Sequence, residues 1–120
     1  MTRFDRFRAA LALTESDNSP VAWGDNLRAA GRWQMHPEFF CEYHPLPAKT
    51  GETWDEWFGR TLENFYLSNG GDDERSIDLA MHFHLGKTAW KRGDDDVSYR
   101  VKFARYWYAI GAEASKIEVS

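Results

Sequence analysis

Glu15 is the side chain in this sequence best placed to move a proton. Phe4, Phe7 and Leu11 fall on one stripe of a helix expected over residues 3–14, and Glu15 continues that stripe four residues beyond Leu11. A carboxyl that follows an apolar face sits at the edge of a core, where partial burial disfavours its charged form and raises its pKa. Such a group can hand a proton to a poor oxygen leaving group. Its usual complement is a second carboxylate, acting as nucleophile or as the base that activates water. Asp25, in the segment WGDN, is the first candidate for that part and Asp17 the second. Both also suit plain turn chemistry, because each is followed by an asparagine, Asn26 and Asn18.

Other residues with chemical potential are less well arranged. His82 and His84 are two apart, which on a helix puts them on different faces, and His36 and His44 flank a short helix. Neither an HExxH pattern nor a cysteine pair accompanies them, so no metal site is expected. Asp94, Asp95 and Asp96 lack the ligand spacing of a calcium loop and read as a helix cap. The lone Cys41 admits no intramolecular disulfide and reads as a structural thiol. No cofactor is expected. Six Trp, five Tyr and eight Phe in 120 residues supply both a core and a groove with flat apolar faces, the kind that holds sugar rings. Trp23 and Trp33 are candidates for such stacking, and packing is their other reading. Nineteen acidic against fifteen basic residues, with no basic stripe, argue against a nucleic-acid partner.

The elements that must position Glu15 follow from periodicity and punctuation. SDNSP stops the first helix, and residues 19–36 form an irregular loop or small hairpin around Gly24, Asp25, Asn26 and Gly31. Pro37 begins a short helix, PEFFCEY. Thr53 and Glu56 have capping-box spacing ahead of a helix carrying Trp54, Trp57, Phe58, Leu62 and Phe65. Ser76 can cap a helix with Ile77, Ala80, Met81 and Leu85 on one face, ended by Gly86. The last helix has Val97, Val101, Ala104 and Tyr108 on one stripe and Phe103, Trp107 and Ile110 beside it, a breadth that suggests burial on more than one side. The whole reads as one domain over residues 1–120, mainly α, with five helices around an irregular middle.

The order of these pieces resembles the soluble lytic transglycosylase and goose-type lysozyme superfamily. In ALALTESDNSPVAWGDNLRAAGRWQMHP, a Glu-Ser pair ends a helix, a loop follows, and Gly31-Arg32-Trp33-Gln34 precedes a new helix. These match the Glu-Ser and Gly-x-x-Gln motifs of that superfamily. The resemblance implies that Glu15 is the catalytic acid, that Ser16 lies beside the substrate, and that Gln34, next to Trp33, contacts it. An amide ahead of a helix can also simply satisfy backbone groups. A third family motif, Ala-Tyr-Asn-x-Gly, has a looser counterpart in His82-Phe83-His84-Leu85-Gly86, with Phe83 where Tyr is usual and His84 where Asn is usual. Tyr106 takes the place of a cleft tyrosine on the last helix.

The implied fold is the mainly α, α+β lysozyme-like domain. The implied activity is cleavage of the bond between N-acetylmuramic acid and N-acetylglucosamine in peptidoglycan. Hydrolysis, as in a muramidase, and the intramolecular route to anhydro ends, as in a lytic transglycosylase, both remain open. The departure at His84 keeps an alternative in view, an inactive lysozyme-like module that holds glycan or serves in a virion. The sequence shows no apolar leader and no run near the roughly 20 apolar residues of a membrane span, so synthesis in the cytoplasm without membrane insertion is expected. An endolysin-like protein of this kind reaches the cell wall only if delivered, with a holin or virion proteins as partners.

Overall fold

Thr2 starts the first helix, α1 (Arg3–Ser16), through a reciprocal cap. Its hydroxyl accepts the Asp5 amide and the Asp5 carboxylate accepts the Thr2 amide, both at 3.0 Å. The helix runs through Glu15 and Ser16 until Asp17 turns left-handed at φ 54°, where the Asn18 amide reaches back to the Ala12 carbonyl at 3.0 Å. Glu15 therefore sits in the last turn. The stripe that precedes it is the one that packs, since Phe7 and Leu11 are fully buried and Phe4 nearly so. The computed structural model describes residues 1–26, 28–39 and 47–116, and the backbone of residues 117–119. Cys41, His44 and most of the segment after Pro37 lie outside the described residues; residues 37–39 are helical.

A short antiparallel hairpin follows α1. Its strands β1 (Trp23–Gly24) and β2 (Ala29–Ala30) pair Trp23 with Ala30 and Gly24 with Ala29. Asp25 and Asn26 both take left-handed backbone at the turn, φ 50° and 56°, a conformation that Asp and Asn tolerate better than most residues. The next long helix, α2 (Trp54–Ser68), is capped by Thr53, whose Oγ1 accepts the Glu56 amide at 3.1 Å. Leu62, Phe65 and Tyr66 face the core, whereas Trp54, in the first turn ahead of that region, is 67% exposed.

Two helices then turn back across the core. In α3 (Ser76–Leu85), Ser76 is the first helical residue and not the cap: its hydroxyl points inward, 2.7 Å from the Tyr66 hydroxyl, while Asp72 accepts the Arg75 amide at 2.8 Å. Gly86, at φ 85°, separates α3 from a short helix unforeseen in the sequence, α4 (Lys87–Lys91). The last helix is α5 (Val97–Val119).

α5 lies antiparallel on α1, since Tyr99 near its start meets Glu15 while Arg6 meets Trp107. The Arg6 Nε donates to the Trp107 carbonyl at 2.9 Å, and the guanidinium lies 3.8 Å from the centre of the Trp107 ring. The Arg6 guanidinium lies over Gly111, where a Cβ would stand 2.3 Å from Nη2 and displace it from this position.

The face of α5 that packs corrects the expectation from sequence. Val97, Val101 and Tyr108 are 58%, 44% and 65% exposed. Phe103 and Trp107 are buried instead, with Tyr99, Tyr106 and Ile110 packed against the core beside them. α5 is apolar on two sides and has core on one, and the aromatic side, with more area to remove from water, takes it. The mainly helical class expected from the sequence, with a small hairpin after the first helix, is what the structure has. Among the described residues no helix is long and apolar enough to cross a membrane.

Candidate functional site

Glu15 meets a tyrosine at the junction of α1 and α5. The Tyr99 hydroxyl donates to Glu15 Oε1 at 2.6 Å. Burial raises the Glu15 pKa above the ordinary carboxylate value, opposed by the Tyr99 hydrogen bond and then by the charges of His84 and Lys102. Burial likewise pushes the Tyr99 pKa well above normal, and the negative charge of Glu15 adds to this, so Tyr99 keeps its proton and stays a donor. With Oε1 engaged, a proton on Glu15 is left to Oε2. Glu15 forms no salt bridge with Arg28 or Arg32; Arg28 pairs with Glu38 and Arg32 with Asp55.

His84 connects this pair to a cavity. Its ring lies flat on Tyr99, 3.7 Å between centroids and 7° between planes, and its Nε2 is 2.8 Å from Asp96 Oδ2. The His84 hydrogen bond is the main reason the Asp96 carboxyl is held below its usual range, helped by the Tyr99 amide donating to Oδ1 at 3.1 Å. The cavity, about 240 Å³, is lined by Gln34, His36, Glu38, Phe39, Phe83 and His84, with Leu85 and Gly86 at its end. Gln34, from one motif, and Phe83 and His84, from another, thus line one cavity. Glu15 does not line it; its link to the cavity runs through Tyr99 and His84.

Comparison of the chain with known protein families, curated proteins and solved structures finds no match. The resemblance to the lysozyme superfamily accordingly rests on the Glu-Ser, GRWQ and HFHLG segments, and their placement has to be judged side chain by side chain.

Ser16 is an anchor: its hydroxyl donates to the Arg32 carbonyl at 2.6 Å and accepts the Ser19 amide at 3.1 Å, tying the end of α1 to the GRWQ loop. Gln34 sits at φ 49°, and its amide nitrogen donates to the Gly31 carbonyl at 2.8 Å. The amide therefore braces its own loop while the residue still borders the cavity. Trp33 is not open to a sugar, a correction to its expected stacking role. It is only 4% exposed, and its indole N–H donates to the Arg8 carbonyl at 2.8 Å. Phe83 meets Phe39 edge to face at 4.8 Å.

Two further expectations fall elsewhere. Asp25 is exposed at the hairpin turn, 3.6 Å from His36 Nε2, and no contact joins it to Glu15. Its left-handed backbone accounts for it as turn chemistry. Tyr106 lines an apolar groove of about 360 Å³ with Leu13, Ala109 and Ile110, away from the cavity that Gln34 and His84 share. His82 is buried and stacked on Trp90 at 4.3 Å, on another side of α3 from His84. Among the described residues no cluster of three or more His, Cys, Asp or Glu could hold a metal.

Tyr99 and the part played by Asp96 were not read from the sequence. A signal was available: Tyr99, Phe103, Tyr106 and Ile110 recur at spacings of four, three and four. Tyr99→Phe is expected to lower turnover about tenfold, since a hydrogen bond to a charged group contributes ~1.5 kcal/mol or more. It should also move the alkaline limb of the pH–activity profile upward, because the lost bond favours the ionised carboxylate. A limb unmoved in Tyr99→Phe would detach Tyr99 from the acid.

Proposed function

We propose that this chain cleaves the glycosidic bond between N-acetylmuramic acid and N-acetylglucosamine in peptidoglycan, with Glu15 as the general acid. One observation carries this reading: Glu15 is half-buried, its pKa is raised by that burial, and a tyrosine hydroxyl bonds one of its oxygens and leaves the other to carry the transferable proton when the carboxyl is protonated. The adjoining cavity supports it, since aromatic faces at Phe39 and Phe83 beside polar groups at Gln34 and His84 suit a sugar ring. Substrate is the glycan strand, no cofactor is needed for acid catalysis, and delivery to the wall falls to a holin or to virion proteins.

The second reading, an inactive module that only holds glycan, draws on Gln34, whose amide is engaged with its own loop. Incubating the purified protein with isolated peptidoglycan and analysing the soluble fraction by mass spectrometry separates the two. Release of disaccharide-peptide fragments is expected. Retention of the protein on peptidoglycan with nothing released would make it the module.

A further inference from the structure

Hydrolysis of a glycosidic bond needs, besides the acid, a group that takes a proton from the attacking water. Asp25 is poorly placed for this, exposed at the hairpin turn and facing His36. The wall of the cavity offers His84 instead. Its Nε2 is bonded to Asp96 Oδ2, and Asp96 is itself fixed by the Tyr99 amide on Oδ1. In the tautomer that directs its Nε2 proton at that carboxylate, the imidazole has its lone pair at Nδ1, an atom with no hydrogen bond among the described residues. The stack on Tyr99 fixes the ring plane, and the same tyrosine holds Glu15 by its hydroxyl. Tyr99 is thus a common mount for both groups, with His84 on its face and Glu15 at its edge.

We propose that His84, oriented by Asp96, is the general base that activates water at this site, so that the chain hydrolyses glycan and does not form anhydro ends. The proposal rests on the reading of Glu15 as the acid. In the step, the bond from C1 to the glycosidic oxygen breaks and its electron pair stays on that oxygen, which takes the proton of Glu15. The water oxygen forms its bond to C1 and gives a proton to His84 Nδ1. The new reducing end has inverted configuration at C1, because acid and base act from opposite faces of the sugar. Asp96 is a positioning residue: it sets the tautomer and touches no reacting atom.

The test uses the full chain on isolated peptidoglycan, with mass spectrometry and NMR of the fresh products. Wild type is expected to release reducing ends of inverted configuration. His84→Ala should lose about a hundred- to ten-thousand-fold in turnover, the usual worth of general acid–base catalysis, and added imidazole should restore part of it. His84→Gln provides a second variant if His84→Ala does not fold, with circular dichroism as the control, and should lose turnover to the same degree. Asp96→Asn, which can still accept the Tyr99 amide, should lower turnover without changing the product. Anhydro ends from wild type would overturn the base while leaving Glu15 as the acid, and so would reducing ends with His84→Ala or His84→Gln as active as wild type. No release of any fragment by wild type would remove the acid as well.

Discussion

Glu15→Gln should reduce cleavage of peptidoglycan by about a hundred- to ten-thousand-fold while leaving the protein folded and still able to hold glycan. The amide keeps the shape of the carboxyl, and its oxygen can still accept the Tyr99 hydroxyl that bonds Oε1 at 2.6 Å. Only the transferable proton is lost. Wild-type activity should fall as pH climbs through the raised Glu15 pKa, because the protonated form is the one that acts. Stability responds in the same window. The folded chain binds this proton more tightly than the unfolded chain does, so the contribution is complete below the ordinary value of 4.5 and is lost as pH rises through the folded pKa. Glu15→Gln never ionises and should escape that loss, unfolding at the same temperature as wild type or higher once pH exceeds the window. A variant that releases fragments at a rate near wild type would end the assignment of Glu15 as the acid.

Glu15 was legible because its placement is local. Phe7 and Leu11 fix which face of α1 is buried, and the carboxyl two turns beyond Phe7 inherits that face. Tyr99 is 84 residues away in sequence, and its contact depends on the antiparallel docking of α5 on α1, which no local pattern encodes. The choice of face on α5 was ambiguous for a related reason: Val97, Val101 and Tyr108 form as regular an apolar stripe as the aromatic one, and only the competition for core volume decides between them. Gln34 and Trp33 show the converse. Their types suggested ligand contact, but a loop must first satisfy its own carbonyls and a core must first be filled, and both residues answer those demands. His84 and Asp96 were each visible, one as a departure from a motif and one as a cap, and the 2.8 Å bond between them was not.

The hold of the core on the site can be measured at Phe7. Its ring is fully buried and touches two other helices, 4.5 Å from the Tyr66 ring of α2 and 5.8 Å from the Phe103 ring of α5. Phe7→Ala deletes the ring at that junction and leaves a void that neighbouring aromatic groups, being rigid, fill poorly. The expected loss is about 3–5 kcal/mol, the range for a buried Phe→Ala change, from a total that for domains of this size is about 5–15 kcal/mol. In thermal unfolding this corresponds to a drop of roughly 10–20 °C. Phe7 lies two turns before Glu15 on the same stripe, so the void loosens the face that carries the acid against α5. Turnover measured well below the new midpoint should nevertheless stay within about threefold of wild type, since the Tyr99 bond and the Ser16 tie to the Arg32 carbonyl hold the far end of α1 independently. A change in stability under about 1 kcal/mol by denaturant titration would show that the three helices do not meet on Phe7. A stable Phe7→Ala protein with turnover gone would show that Glu15 is positioned by the whole of α1 and not by its last turn.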